Sequence, residues 1–361
     1  MDIIDIYHFL DKAVQRNASD LHLTAGARPT LRIDGELVSL EDYVLKPEDT
    51  RRLAGQILTD EQASLFAERG ELDFSYGNAE LGSFRVNIYR QRGSTGLAMR
   101  VVSKLIPSLD SLGLPETVST LARRSQGLIL VTGPAGSGKS TTIAAMIDLI
   151  NEERACHIVT LEDPIEYLHT NKKSIINQRE IGRDSRSFPG ALRAALRQDP
   201  DVIMVGEMRD LETISIAITA AETGHLVLAT LHTASAPQTV ERIIDAFPPN
   251  QQQQVRIQLS STLAGVISQR LLRRKGGGGR LAALEILIST LAVRNLIRER
   301  KLHQIYSAMQ TGGRFGMQTM DKALQELYKN MLIDADEVRR YAADLEVVER
   351  FLQQSDNGQD R

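Results

Sequence analysis

Residues 127–153 read GLILVTGPAGSGKSTTIAAMIDLINEE. The opening GLILVTG is a short, continuous apolar run of the kind that forms a strand buried on both faces, and STTIAAMIDLINEE continues it as a helix. Between them Gly133 to Ser140 spell GPAGSGKS, a match to G-x-x-x-x-G-K-[ST] in the strand-to-helix setting that this pattern requires. Glycines let backbone N–H groups converge on phosphate oxygens at a helix N-terminus, where the helix dipole also favours an anion. Gly133, Pro134, Ala135, Gly136, Ser137, Gly138, Lys139, Ser140 and Thr141 are therefore the expected cradle for the phosphates of ATP. Lys139 is expected on the β- and γ-phosphates and Ser140 on Mg²⁺. A glycine-rich turn without a ligand is the competing reading, but it leaves Lys139 crowding the positive end of a helix with no anion.

Three more apolar strands follow downstream, HIVTLED, DVIMVGE and HLVLATL, alternating with helical stretches. That alternation predicts a parallel α/β sheet covered on both faces. A nucleotide hydrolase needs carboxylates at the ends of neighbouring strands, to hold the metal and orient the attacking water. Glu207 ends DVIMVGE in the place of a Walker B carboxylate, with an exposed strand-end acid as the alternative. TLEDPIE supplies Glu162, Asp163 and Glu166, with Pro164 stopping the strand. For Asp163 and Glu166, a turn or cap role stands beside ligation. His225 and His232 flank LVLATL, and a histidine at the strand exit can donate to the γ-phosphate. A structural role remains open for each, His225 above all. Cys156, beside HIVTLED, reads as a small buried apolar residue, and as the one cysteine it excludes an intrachain disulfide.

Upstream the pattern changes. Asp2 to Gln15 is spaced as one face of a helix. ASDLHL and PTLRIDGEL read as strands, with a turn at Asp34 and Gly35. Helical stretches at 48–58 and 60–68 lead to SFRVNIYRQRGSTGLAMRVV (83–102), a β-hairpin with one buried face and one polar face. Two prolines and a glycine within 106–116 mark a linker. The expected domains are thus an α+β module at 1–105 and an α/β domain at 117–361, whose C-terminal part, about 290–354, is helical. Gly276 to Gly279 is the one low-complexity element.

Composition narrows the function. With 43 Lys plus Arg against 46 acids the net charge is −3, so no global field draws the chain to nucleic acid or anionic lipid. Aromatics at 4% and the absence of Trp provide no stacking platform for single strands. The acidic N-terminus lacks the form of a signal peptide, and no run of about 18 apolar residues suggests a membrane span. The expectation is a cytoplasmic protein that meets a membrane only through a partner.

ASDLHL, GPAGSGKST, TLEDPIEY, RQDPDVIMVGEMRD and GHLVLATLHT stand in the order found in the secretion and pilus ATPases. The set spans nearly the whole chain, and the chain resembles that superfamily's pilus-retraction branch. It begins directly with the helix and ASDLHL, and it lacks the four-cysteine zinc element of the assembly and type II secretion motors. LAVRNLIRERKLHQIYSAMQTG resembles the branch's C-terminal helix motif, with Ala292, Val293, Arg294, Asn295, Leu296 and Ile297 at the motif positions. Val293, Ala229 and Gln198 depart from the more frequent family residues.

The resemblance implies a PAS-like N-terminal domain followed by a RecA-like P-loop domain with a helical C-terminal extension. It also implies a homohexameric ring, an inner-membrane pilus platform protein as partner at the membrane's cytoplasmic face, and ATP with Mg²⁺ in the site. The hairpin arginines Arg85, Arg90, Arg92 and Arg100 become candidates to reach the γ-phosphate when domains close, with a solvated basic hairpin as the alternative. The resemblance implies that the helix at 292–297 transmits ring movement to the partner, whereas its periodicity alone reads as an ordinary amphipathic helix. Assembly or secretion ATPases of the same superfamily are the nearest competing function. A DNA-translocating motor is disfavoured by the charge and aromatic content. A small-molecule P-loop kinase is disfavoured because no lid or acceptor pocket is evident in the sequence.

Overall fold

The computed structural model describes residues 5–33, 35–78, 80–102 and 105–359. Two compact units emerge, one of Met1–Leu105 with Glu166–Leu168, the other of Ile106–Ile165 with His169–Arg361.

The first unit opens with α1 (Ile6–Gln15), capped by the Asp5 carboxylate accepting from the Tyr7 N–H. Ile6, Phe9, Leu10 and Ala13 form its buried face. Residues 2–4 of the expected helix lie outside the described residues. Next come β1 (Asp20–Thr24), β2 (Thr30–Ile33), β3 (Glu36–Ser39), α2 (Pro47–Gly55), α3 (Asp60–Arg69), β4 (Glu71–Asn78), β5 (Gly82–Gln91) and β6 (Ser94–Val101). The expected single strand PTLRIDGEL is instead the hairpin β2–β3, folding at the expected turn, of which Asp34 is outside the described residues. The strands pair antiparallel in the order β3-β2-β1-β6-β5-β4. Phe84, Val86 and Ile88 point into the core beneath the helices, as their alternation requires.

The second unit carries α4 (Glu116–Ala122), β7 (Gly127–Thr132), α5 (Lys139–Glu153), β8 (His157–Glu162), β9 (Ile175–Glu180), α6 (Phe188–Ala195), β10 (Val202–Val205), α7 (Leu211–Glu222), β11 (Leu226–Leu231), α8 (Ala236–Asp245), α9 (Pro249–Thr262), β12 (Leu263–Arg273) and β13 (Arg280–Ile288). The sheet order is β13-β12-β7-β11-β10-β8-β9, parallel except for the β12–β13 hairpin. Every residue of β7, β10 and β11 is buried. Alternate side chains serve two cores: Leu128, Leu130, Val205 and Val227 pack with α6 to α9, whereas Ile129, Val131, Met204 and Leu228 pack with α4 and α5. Gly276 to Gly279 turn the β12–β13 hairpin, all at positive φ.

Beyond the sheet lie α10 (Leu291–Arg298), α11 (Ile305–Thr311), α12 (Met320–Lys329), α13 (Ala335–Tyr341) and α14 (Leu345–Gln359). α10 is packed against the sheet domain. Val293 and Ile297 are fully buried in the main core and Leu296 packs against it, so these motif positions hold the helix down. Ala292 and Asn295 face outward.

Candidate nucleotide-binding site

The parallel register sets the site. Thr132 pairs with Leu231, Ala229 with Val205, and Val205 with Leu161, so β7, β11, β10 and β8 finish side by side. The residues that follow are Gly133, His232, Glu207 and Glu162 with Asp163. Four segments far apart in sequence thus converge at the carboxyl edge of the sheet, where open α/β folds bind ligands.

The loop at 133–138 fits a polyphosphate. Gly136 and Gly138 take φ values of 74° and 87°, which an L side chain adopts only under strain. A Cβ on Gly133 would lie 2.4 Å from the Gln269 carbonyl oxygen and 2.6 Å from Ser137 Oγ. Only bare backbone is accommodated there. Ser137 Oγ is buried without a hydrogen-bond partner, a polar group left for a ligand to satisfy. Lys139 is buried and its Nζ donates to the Gly133 and Pro134 carbonyls at 2.8 and 3.0 Å, which keeps the ammonium at the loop. Ser140 and Thr141 lie in the first turn of α5, half-buried.

Glu207 is held on both oxygens. Arg209 Nη2 lies 2.7 Å from one, and His232 Nε2 lies 3.1 Å from the other. Burial alone pushes the Glu207 carboxyl up, but the hydrogen bond from Arg209, the charges of His232 and Arg209 and the His232 bond outweigh it, and the net shift is downward. The group is ionised at neutral pH. Glu162 is buried and accepts at Oε1 from Thr160 Oγ1 at 2.6 Å and from Gln178 Nε2 at 3.0 Å. Gln178 is itself aimed by the His169 backbone N–H, which donates to its Oε1 at 2.8 Å. Asp163 is exposed and adds its charge to Arg209.

His225 is not brought to this edge. It precedes β11, opposite the start of β7, so the length of a six-residue strand, roughly 20 Å, separates it from the loop. Its Nδ1 lies 2.9 Å from the Ala220 carbonyl at the end of α7, a capping position. Glu166 and the hairpin arginines belong to the first unit. There Arg85 faces Arg100 across β5–β6, and Arg100 Nε donates to Asp20 Oδ1 at 2.9 Å. Arg90 donates to the Ala67 carbonyl and covers the Phe66 ring, and Arg92 sits in the turn at φ 50°.

Three contributors escaped the sequence reading. Gln269 on β12 accepts from Thr142 Oγ1 at 2.7 Å, and its amide nitrogen lies 2.7 Å from where a Gly138 Cβ would be, so it fastens the loop to the next strand. Gln178 and Arg209 are the other two. Arg209 alone carried a signal, two residues after the strand-end acid.

A phosphate loop on one parallel strand, with carboxylates at the ends of its neighbours, defines a P-loop nucleotide-binding protein. The chain belongs to the Type II/IV secretion system protein family, whose pattern matches residues 3–340. It is 48% identical over 339 residues to the type IV pilus retractation ATPase PilT of Pseudomonas aeruginosa, covering 94% of this chain and 98% of that one. A twitching motility protein of Neisseria gonorrhoeae is 47% identical over 88% of this chain and 85% of its own length. Among solved structures, the pilus retraction motor PilT with bound ADP superposes with a TM-score of 0.90 at 53% identity, covering 96% of this chain and 99% of that one. The Legionella pneumophila ATPase DotB superposes at 0.77 with 27% identity, covering 92% and 94%. No helix among the described residues is long and apolar enough to cross a membrane.

Proposed function

We propose that this chain is an ATP-hydrolysing motor subunit that powers retraction of type IV pili. It would work as a homohexamer at the cytoplasmic face of the inner membrane and act on the platform protein there. The observation that carries this reading is the 48% identity, over nearly the full length of both chains, to a retraction ATPase. The strand-end cluster supports it from the chemistry.

The loop from Gly133 to Thr141 would take the polyphosphate on its backbone N–H groups, with Lys139 on the β- and γ-oxygens. Ser140, Glu207 and Glu162 would hold Mg²⁺, which when bound neutralises charge on those oxygens. Glu207, ionised and fixed on both oxygens, orients the attacking water. His232 against it is placed to register the γ-phosphate, and Asp163 supports Arg209. Arg85 and Arg100 of the first unit are proposed to reach the γ-phosphate on closure, Arg100 having first to leave the Asp20 carboxylate it engages. Arg90, Arg92 and Glu166 would contribute to nucleotide binding.

Deletion of the gene tests the reading. Cells should keep abundant surface pili and lose twitching, and the wild-type copy should restore it while a Lys139→Ala copy does not. Loss of all surface pili would assign the chain to pilus assembly, and unaltered retraction would remove it from the pilus altogether.

A further inference from the structure

Outside the nucleotide site, the end of α10 meets α9 at two arginines. α10 closes in a Schellman turn: the Lys301 N–H reaches the Leu296 carbonyl at 2.9 Å, and the Arg300 N–H reaches that of Ile297. The residue in the left-handed position of such a turn is ordinarily glycine. Here it is Arg300, at φ 62°. A bulky side chain there costs backbone energy for no gain to the turn itself.

The Arg300 side chain is turned toward α9, where Nη2 donates to Gln253 Oε1 at 3.3 Å. One helical turn further along, Arg256 has a fully enclosed Nε with no acceptor, and its Nη2 has only a 3.5 Å bond to Gln252. Burial first, and the nearby Arg300 charge second, push the Arg256 guanidinium down from its usual range, with Asp245 partly opposing. Among the described residues neither arginine lies in an ion pair. An enclosed guanidinium N–H without an acceptor, beside a like charge, is destabilising unless an anion is received nearby.

We propose that Arg256 and Arg300 form an oxyanion-binding site between α9 and the end of α10, separate from the phosphate loop. The planar fork of Arg256 and the charge of Arg300 suit a carboxylate of an acidic protein segment or a phosphate group. The site does not depend on the proposed motor function, because none of its residues belongs to the nucleotide cluster.

Arg300→Gly is the discriminating variant, since glycine favours the left-handed turn and the fold should be at least as stable as wild type. With ADP and Mg²⁺ saturating the phosphate loop, two probes are measured at constant ionic strength: a fluorescent hexaglutamate peptide by anisotropy, and inorganic phosphate by the shift of the melting midpoint. At least one should bind wild type and lose tenfold or more in affinity in Arg300→Gly, with Arg256→Gln behaving alike and ATP hydrolysis unchanged. Peptide binding alone identifies a protein carboxylate as the source, and phosphate binding alone identifies free phosphate. If neither probe binds, or Arg300→Gly binds both as well as wild type, the proposal is wrong.

Discussion

The Glu207 carboxylate and the His232 imidazole, on the exits of adjacent strands β10 and β11, face each other at 3.1 Å. The pairing joins the carboxylate proposed to orient the attacking water to the histidine proposed to register the γ-phosphate. Glu207→Gln should therefore keep nucleotide binding and lower turnover by about 10²-fold or more. Binding and phosphate-release assays on the purified variant check it. Normal hydrolysis would shift the role to Glu162.

The same carboxylate makes a pH prediction. Its folded value lies below the ordinary 4.5, so its contribution to stability is complete above that range and is lost as pH falls through the depressed value. Below pH 4.5 the melting midpoint of wild type should fall more steeply than that of Glu207→Gln. Parallel curves would mean that the contacts with Arg209 and His232 contribute no stability.

Gln178 donates to Glu162 at 3.0 Å and is aimed by the backbone of His169. Gln178→Leu keeps the volume but leaves the buried Glu162 carboxyl short of a hydrogen bond, a cost of about 1–3 kcal/mol. The expected outcome is a fall in kcat of about tenfold or more with KM little changed. An unchanged kcat would reduce Gln178 to packing.

Ile297 is fully buried, whereas Asn295 two residues earlier is exposed. Ile297→Ala should destabilise the protein by about 2–5 kcal/mol, read by denaturant unfolding. Asn295→Ala should leave stability and hydrolysis near wild type. If α10 delivers motion to the platform protein, cells with Asn295→Ala should bear pili yet fail to twitch. Normal twitching would confine the helix to packing.

Arg85 and Arg100 stand opposite each other on β5 and β6. If, as proposed, they stabilise charge in the transition state, replacing either by Ala should lower turnover far more than nucleotide affinity, by up to ~10³-fold. The test is the comparison of kcat with equilibrium binding on hexamers verified by native mass. Full activity in a monomer would exclude any arginine supplied through the ring.

What the sequence by itself determined was local. GLILVTGPAGSGKST carries its strand, loop and helix within fifteen residues, because apolar runs, glycines and helix formers act over short range. The strand-end acids were legible for the same reason, each closing an apolar run. Only the tertiary structure decided which strand ends are neighbours, since register is a pairing between distant segments. That register brought His232 to Glu207 and left His225 at the far end of the same strand. β12 escaped notice because LAGVISQRLLR mixes apolar and charged residues and has no turn residue before it: α9 runs straight into it at Leu263. The burial of Ile297 is of the same kind. Periodicity marks the inward face of α10, but a face becomes an anchor or a docking surface only when something is packed against it, and here that is the core of the sheet.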